Sequence, residues 1–537
     1  MPRLTIDGAS VEVPPGTTVL EAARAQGKDV PHYCWHPGLS IAGNCRICLV
    51  EVEKMRGVQI ACNLPCAEGM VVHTDSEVAK KARLDVMELL LINHPLDCPI
   101  CDQAGECKLQ EYSFELGSGV SRFDVAKNHK RKRVPFSDKV VFDAERCIVC
   151  TRCVRFCQEV AKEDELAVVK RGDRSEIDVA PGRTLSNPYS MNVIDVCPVG
   201  ALTSADFRFQ SRVWFMEQKR TVCTTCARGC NVLAGTRWNR VLRLVPAENA
   251  AVNKWWMCDH GRVNIKDVAA EDRLATARLR RGGVLGEADA APAVEALAAA
   301  IGEAKAAGGA GLFGLISARL TNEECWLARR LLGDLAGSPN LDLKPRTGDG
   351  DAFLRCSDAN PNVRGARAAG VAPRDGGFGL EGFAAAASAG KVRWAVLVGE
   401  DLDDLPEALE ALARVPFVAV IGSHDSETAR RATVVLPGAA WAEKDGTMTN
   451  VDGRVQRLRA VVRPPGAARP EARWLAELLA RCGGEDLTAA TSPAALFRAL
   501  AAGCPAFAGL TLAAVGDLGA PLPGAVPAGA AVHGVPV

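Results

Sequence analysis

"YCWHPGLSIAGNCRICLVEVEKMRGVQIACNLPC", residues 33–66, gathers five cysteines into one stretch. Cys34, Cys45 and Cys48 are followed by two rivals for a fourth place, Cys62 and Cys66, the first giving C-x10-C-x2-C-x13-C. Two residues between Cys45 and Cys48 let a tight turn aim both thiolates at one centre while backbone N–H groups point at the sulfurs. Gly43, just ahead of the pair, supplies the backbone freedom a loop needs to wrap a cluster. The flanking "RLTIDGASVEV" and "ICLVEVE" alternate or carry β-branched residues and predict strands, and "TVLEAARAQG" predicts a short helix ending at Gly27. Strands and a helix around a cysteine loop are the parts of a small β-grasp ferredoxin.

The whole chain has 537 residues, 48% of them hydrophobic, enough for roughly three or four domains with filled cores. Lys plus Arg (64) equals Asp plus Glu (64), so no net field draws it to nucleic acid or an anionic membrane. The one dense basic run, "KNHKRKR" at Lys127 to Arg133, reads as a solvated loop, with docking on an acidic partner as the alternative. No apolar run approaches the ~18 residues of a membrane-spanning helix, and "MPRLTIDG" has no signal-peptide apolar block. A soluble, non-exported protein is expected, and reducing surroundings then favour metal ligation over disulfides for its 21 cysteines.

Seventeen of these fall between Cys34 and Cys258, leaving Cys325, Cys356, Cys482 and Cys504 for the second half. The C-x2-C pair recurs at Cys98/Cys101, Cys147/Cys150 and Cys223/Cys226 among different neighbours, so the pairs mark four sites. In "HPLDCPICDQAGEC" (residues 94–107), Cys98, Cys101 and Cys107 lack a fourth cysteine before Cys147. His94 ends the predicted amphipathic helix "SEVAKKARLDVMELLLINH", whose Val78, Leu84, Met87, Leu90 and Leu91 are expected to face a core. A histidine there ordinarily interacts with the last helix carbonyls. If a metal sits here, a neutral imidazole four residues upstream fills the vacancy. "CIVCTRCVRFCQEV" (147–160) begins C-x2-C-x2-C, the bacterial ferredoxin run for a 4Fe-4S cluster. Cys197, followed by Pro198, completes the set Cys147, Cys150 and Cys153, and Cys157 is left as a buried or redox-silent thiol. The fourth group is Cys223, Cys226, Cys230 and Cys258, spaced C-x2-C-x3-C-x27-C, for which a zinc ribbon is the bland alternative. Several clusters without a nucleophile or acid–base pair beside them suggest an electron carrier.

"HYCWHPGLSIAGNCRICLVEVE", "ACNLP", "NHPLDCPICDQAGECKLQ", "CIVCTRCVRFCQE" and "IDVCPVGALT" together resemble, in order, the large iron-sulfur subunit of the peripheral arm of NADH-quinone oxidoreductase, respiratory complex I. The resemblance is strong over about the first 270 residues. It implies a 2Fe-2S cluster, for which Cys62 rather than Cys66 is the fourth ligand, a 4Fe-4S cluster held by His94 with three cysteines, and an all-cysteine 4Fe-4S cluster. The further site at Cys223 to Cys258 is found in only some bacterial members, off the main electron route. The resemblance also implies partners: the FMN/NADH-binding subunit and the quinone-side iron-sulfur subunits, on the cytoplasmic face of the bacterial inner membrane.

The second half resembles a shortened molybdopterin-oxidoreductase domain. "LISARLTNEECWLARRLLGDL" predicts a strand, then a helix capped by Thr321 with Glu324 in the capping-box position. "RWAVLVGEDLDDLPEALEALARVPFVAVIG" predicts strand, helix and strand in a parallel sheet. "LPGAAWAEKDGTMTNVDGRVQR" resembles that superfamily's recognition loop. None of the four late cysteines has a metal-ligand context, so no molybdopterin is expected. Gly309, Gly311 and Gly314 match G-x-G-x-x-G, but a helix precedes them and a strand follows, the reverse of a dinucleotide site.

The expected fold is therefore multidomain α+β and α/β. Residues 1–78 form a 2Fe-2S ferredoxin-type domain, 79–119 a 4Fe-4S domain with one histidine and three cysteines, and 120–215 a 4Fe-4S ferredoxin-like domain. Residues 216–272 form an additional 4Fe-4S domain, 273–505 an α/β domain without cofactor, and 506–537 a loose Ala/Gly/Pro-rich tail or an arm lying on a neighbour. The expected function is electron relay from NADH and FMN on a partner toward quinone, coupled in the complex to proton translocation, with no catalytic residue in this chain. The alternatives are the α subunit of an NAD-linked formate dehydrogenase or hydrogenase, and a zinc-clipped scaffold without redox activity.

Overall fold

In the computed structural model, residues 1–490 and 492–524 are described, and the chain divides into two compact units, Met1–Met216 and the residues from Glu217 on. The front unit opens with the hairpin β1 (Arg3–Ile6) and β2 (Ala9–Glu12), turned at Asp7-Gly8 with both residues at positive φ. Helix α1 (Val19–Ala25) begins at Thr18 with a full capping box to Glu21 and stops before Gly27, whose φ of 74° suits glycine. Strands β3 (Leu49–Val52), β4 (Gln59–Ile60) and β5 (Val71–His73) complete a five-stranded mixed sheet ordered β2-β1-β5-β3-β4. β1 and β5 run parallel at its centre, and Leu4, Ile6, Val50 and Val72 pack with Val19, Leu20 and Ala23 of the helix. This is the expected β-grasp.

Helix α2 (Glu77–Leu91) departs from its predicted inner face. Val78 is exposed, whereas Ala79, Arg83 and Met87 are buried, and the Arg83 guanidinium donates to the Leu49 carbonyl at 2.9 Å. A long arginine stem can line a core if its head finds an acceptor, which hydrophobic periodicity does not reveal. Helix α3 (Lys108–Leu116) follows directly on Cys107.

The basic run is a loop with His129, Arg131, Lys132 and Arg133 exposed, yet several of its charges are paired within the unit. Lys127 donates to the Leu91 and Ile92 carbonyls (2.9 and 2.7 Å), Lys130 to the Ser175 carbonyl (2.7 Å) and Arg131 to Asp178 (2.8 Å). Lys132 reaches Asp97 (2.6 Å) and Glu145 (2.9 Å). The run ties the end of α2 to the segment ahead of Cys147 within the same unit.

In the rear unit, strands Glu217–Val222, Asn231–Arg237 and Arg240–Pro246 form an antiparallel sheet. Trp238 and Asn239 make its two-residue turn at φ 52° and 58°, the conformation whose twist matches a hairpin. A seven-stranded sheet then supports the α/β part. Its parallel strands are Leu312–Ile316, Asn340–Asp342, Trp394–Val398, Phe417–Gly422 and Val434–Pro437, with the hairpin Ala277–Arg281/Val284–Ala288 on one edge. Alternate residues enter two cores on opposite faces: Leu312, Val396, Ala419 and Val434 in one, Phe313, Leu397, Val420 and Val435 in the other. Both faces are covered, as parallel sheets require. Thr321 and Glu324 form the predicted capping box, and Gly314 lies inside a strand after the helix Ala290–Ala306, which excludes a dinucleotide turn there.

The start of the expected tail is folded. Phe507 and Val515 are buried in the larger core, and Ala520–Pro521 pairs with Arg454–Leu458. An Ala/Gly/Pro-rich composition hid a few large apolar residues at core spacing. The remainder of the expected tail, 525–537, lies outside the described residues. Phe507→Ala should cost about 3–5 kcal/mol, the range for emptying a buried aromatic site. A urea unfolding curve of the full chain with an unshifted midpoint would show that this segment contributes nothing to the fold.

Candidate metal centres

At the first site the sulfurs of Cys34, Cys45, Cys48 and Cys62 lie close enough to act on one another's ionisation: Cys34 with Cys45 and Cys62, and Cys48 with Cys62. Arg46, in the left-handed region at φ 57°, turns the loop so that the N–H groups of Cys34 and Ile47 point at the Cys45 sulfur, the first at 3.4 Å. Cys62 arrives on the short turn Ala61–Asn63 after β4. Cys66 stands apart: its N–H donates to the Thr17 carbonyl at 2.9 Å, and its thiol is pushed up by burial and by Glu21, with no other cysteine acting on it.

The second group lies between α2 and α3. Cys98 is exposed, Cys101 and Cys107 are buried, and each sulfur acts electrostatically on another of the three. Burial pushes Cys107 up to about 11, against N–H groups of Gln110 and Leu109 that favour its thiolate. His94 follows the last turn of α2. Its imidazole makes no hydrogen bond among the described residues, to the three sulfurs or otherwise, and burial with the nearby Lys127 and Arg146 lowers its pKa to about 4. The ring is thus neutral at pH 7 with its lone pair free, the form a metal requires. Asp97 is fixed by Arg146 (2.9 Å) and Lys132 (2.6 Å), which shape the loop between His94 and Cys98.

At the third site Cys147, Cys150, Cys153 and Cys197 line one cavity with Phe142, Ile177 and Leu202. Val149 and Thr151 are held at φ 50° and 62°, uncommon for any side chain and most of all for β-branched ones, and the Val149 N–H meets the Cys147 sulfur at 3.4 Å. N–H groups of Val199, Ala201 and Leu202 address Cys197, whose thiol burial pushes to about 12. Strand Leu202–Ser204 pairs with Val140–Phe142, which brings Cys197 back beside Cys147. Cys157, on the π-helical turn Phe156–Ala161, is outside this cavity and is pushed up to about 12 by burial and by Glu165.

The fourth site closes the hairpin sheet of the rear unit. The Cys223 N–H donates to the Cys230 carbonyl at 2.8 Å, so the C-x2-C-x3-C run is the hairpin connection itself. Cys258 caps the helix Asp259–Val263 and accepts from the Gly261 N–H at 3.3 Å. The four sulfurs line one cavity together with Met257 and Arg355.

Among the described residues no group of three or more His, Cys, Asp or Glu side chains is arranged to hold a single metal ion. The cavities lined by the third and fourth sets are small, about 10 Å³ each. Backbone N–H groups turned toward the sulfurs of these sets are the donors an iron-sulfur cluster uses. The N–H donors inside the C-x2-C turns were expected from that spacing, whereas those of Val199, Ala201 and Leu202 around Cys197 had no sequence signal.

Family models match along the same order. A 2Fe-2S iron-sulfur cluster binding domain covers residues 2–77, and an NADH-ubiquinone oxidoreductase-G iron-sulfur binding region covers 83–122. The ferredoxin-like domain of NADH-quinone oxidoreductase subunit 3 covers 137–203, a molybdopterin oxidoreductase Fe4S4 domain 216–270, and molybdopterin oxidoreductase 360–481. Fold and sites together define an iron-sulfur oxidoreductase subunit with 2Fe-2S and 4Fe-4S binding domains in front of a molybdopterin-oxidoreductase-type domain. The NADH-quinone oxidoreductase G subunit of Streptomyces coelicolor is 41% identical over 346 residues (64% of this chain, 41% of the relative), and that of Rickettsia felis 42% over 303 (56% and 44%). The mitochondrial NADH-ubiquinone oxidoreductase 78 kDa subunit of Candida albicans is 32% identical over 594 residues, 87% of this chain and 81% of the relative. The chain belongs to the family formed by the NADH-quinone oxidoreductase G subunit and the mitochondrial 78 kDa subunit. The matches with the two bacterial relatives span less than half of those proteins' lengths.

A Cβ on Gly200 would lie 2.1 Å from the Cys101 sulfur, so the segment after Cys197 packs directly on the second site. Gly200→Ala should cost about 1–3 kcal/mol in overpacking and dislodge Cys101. The expected result is iron loss from the second site with the signal of the third retained; full iron at both would show that Cys101 is not needed where it stands.

Proposed function

We propose that this chain relays electrons within an NADH:quinone oxidoreductase, accepting them from an NADH/FMN-binding partner and passing them to quinone-side iron-sulfur subunits. On this reading Cys34, Cys45, Cys48 and Cys62 hold a 2Fe-2S cluster. His94, Cys98, Cys101 and Cys107, then Cys147, Cys150, Cys153 and Cys197, and then Cys223, Cys226, Cys230 and Cys258 hold 4Fe-4S clusters. Residues 1–78, 79–119, 120–215 and 216–272 carry one each, and 273–505 is an α/β domain without cofactor. The complex couples the transfer to proton translocation, and this subunit works on the cytoplasmic side of the membrane. Among the described residues no helix is long and apolar enough to cross one.

The observation that carries the reading is the contiguity of the three sites in the front unit. Arg155 donates to the carbonyls of both Cys34 (2.6 Å) and Cys150 (3.4 Å), linking the first site to the third. The Cys107 sulfur meets the Pro198 carbonyl at 3.9 Å, linking the second to the third. Bound clusters would supply one-electron carriers at these positions. The protein's own part is to hold the sulfurs as thiolates, to seal them from water and to aim N–H dipoles at them.

Anaerobically purified chain should contain iron and acid-labile sulfide in equal amounts; a colourless, sulfide-free preparation overturns the relay. His94→Cys replaces a neutral donor by a thiolate, so the second cluster should become more negative and its midpoint potential fall. An unchanged potential and EPR spectrum would remove His94 from the ligand set.

A further inference from the structure

The first and third sites share two arginines that the relay itself does not explain. Arg155 donates to the carbonyls of Cys34, Ser40 and Cys150 and to the Thr151 hydroxyl. Arg152 donates to the carbonyl of Val196 at 3.2 Å and to that of Trp35. Both arginines lie on the helix Arg152–Arg155, which also carries Cys153, and their acceptors sit on the loops that carry Cys34, Cys150 and Cys197. Arg155 is buried, and the Nε of Arg152 is sealed from solvent without a partner.

Among the described residues every hydrogen bond of these two guanidinium groups goes to an uncharged oxygen, and neither forms a salt bridge. Arg155 is buried and Arg152 half-buried, and the carboxylate of Glu159, one turn on from Arg155, is taken up by Ser40 rather than by either guanidinium; cations so placed are costly and are retained where a counter-charge exists. Burial pulls Arg152 down, and the groups that pull it back are the sulfurs of Cys150, Cys197, Cys34 and Cys45. Arg146 of this unit has Asp97 and Asp143 as ion-pair partners, while Arg83, like Arg152 and Arg155, bonds only an uncharged oxygen.

We propose that Arg152 and Arg155 are positioning residues that supply the shared positive counter-charge of the first and third clusters, raising the reduction potentials of both together. The inference rests on the ligand sets proposed above. A cation placed between two anionic centres favours the reduced, more negative form of each.

The test is an EPR-monitored redox titration of the full chain in its assembled, cluster-loaded complex. Arg152→Gln and Arg155→Gln should lower the midpoints of the first and third clusters together, with a smaller shift at the second. Arg152→Lys and Arg155→Lys, which keep the charge and lose the fork of donors, should stay near the unsubstituted protein. Glutamine variants with full signals at unmoved midpoints overturn the proposal, as do lysine variants whose midpoints fall as far as those of glutamine. Should the glutamine variants lose the clusters, the lysine pair decides: retained midpoints support a charge role, and lowered ones refute it. Absence of both signals from the unsubstituted protein would instead sink the ligand assignment.

Discussion

Four sulfurs cannot be gathered inside a protein without opposing two forces, the loss of water around groups that must become anionic and the repulsion among them. The chain answers with backbone N–H groups turned toward the sulfurs, and that demand propagates into the local conformation. Arg46, Val149 and Thr151 are all held at positive φ, each at about 1–3 kcal/mol. Val149 is the clearest case, since a β-branched residue is among the worst tolerated there, yet its N–H faces the Cys147 sulfur. Strain of this kind persists only where the surrounding structure over-determines it, and here the paired strand Leu49–Val52 after Arg46, and the strand Val140–Phe142 and helix Arg152–Arg155 around Val149 and Thr151, do so.

The parts of the fold that depend on short-range rules could be read from the residues. The capping box at Thr321, the β-grasp strands and the strand–helix–strand at Trp394–Gly422 all rest on periodicity and side chains three apart. The C-x2-C pairs were visible because their geometry is local. The choice between Cys62 and Cys66 was not, since it turns on where strand β4 delivers the chain, and only the family resemblance favoured Cys62. The pairing of the exposed basic run was hidden for the same reason: its acceptors Asp97, Glu145, Ser175 and Asp178 lie on both sides of it in sequence, at separations of 13 to 47 residues. Charge patterning sees a cluster of like charges, and not the partners it meets.

Within the rear unit the sheet is a frame without an assigned reactant. Its loops carry buried charges that are spent on one another: Lys444 lies between Glu324 (3.1 Å) and Glu471 (2.8 Å), and Arg273 pairs with Glu443. Such networks are poor evidence for stability, but breaking one partner leaves an uncompensated charge.

The fourth site depends on residues far behind it. Asn249, which also bonds Asn231 beside Cys230, donates to the Leu518 carbonyl at 3.0 Å, and Gln456 donates to the Gly229 carbonyl at 2.9 Å. Strand Arg454–Leu458, which carries Gln456, is itself paired by Ala520–Pro521. The cysteines of this site therefore leave the ribosome about 260 to 300 residues before the segment that braces their hairpin. During synthesis the front unit can close on its own contacts first, whereas this pocket stays unbuttressed, and its thiols open to oxidants and stray metal, until translation has passed Ala520–Pro521.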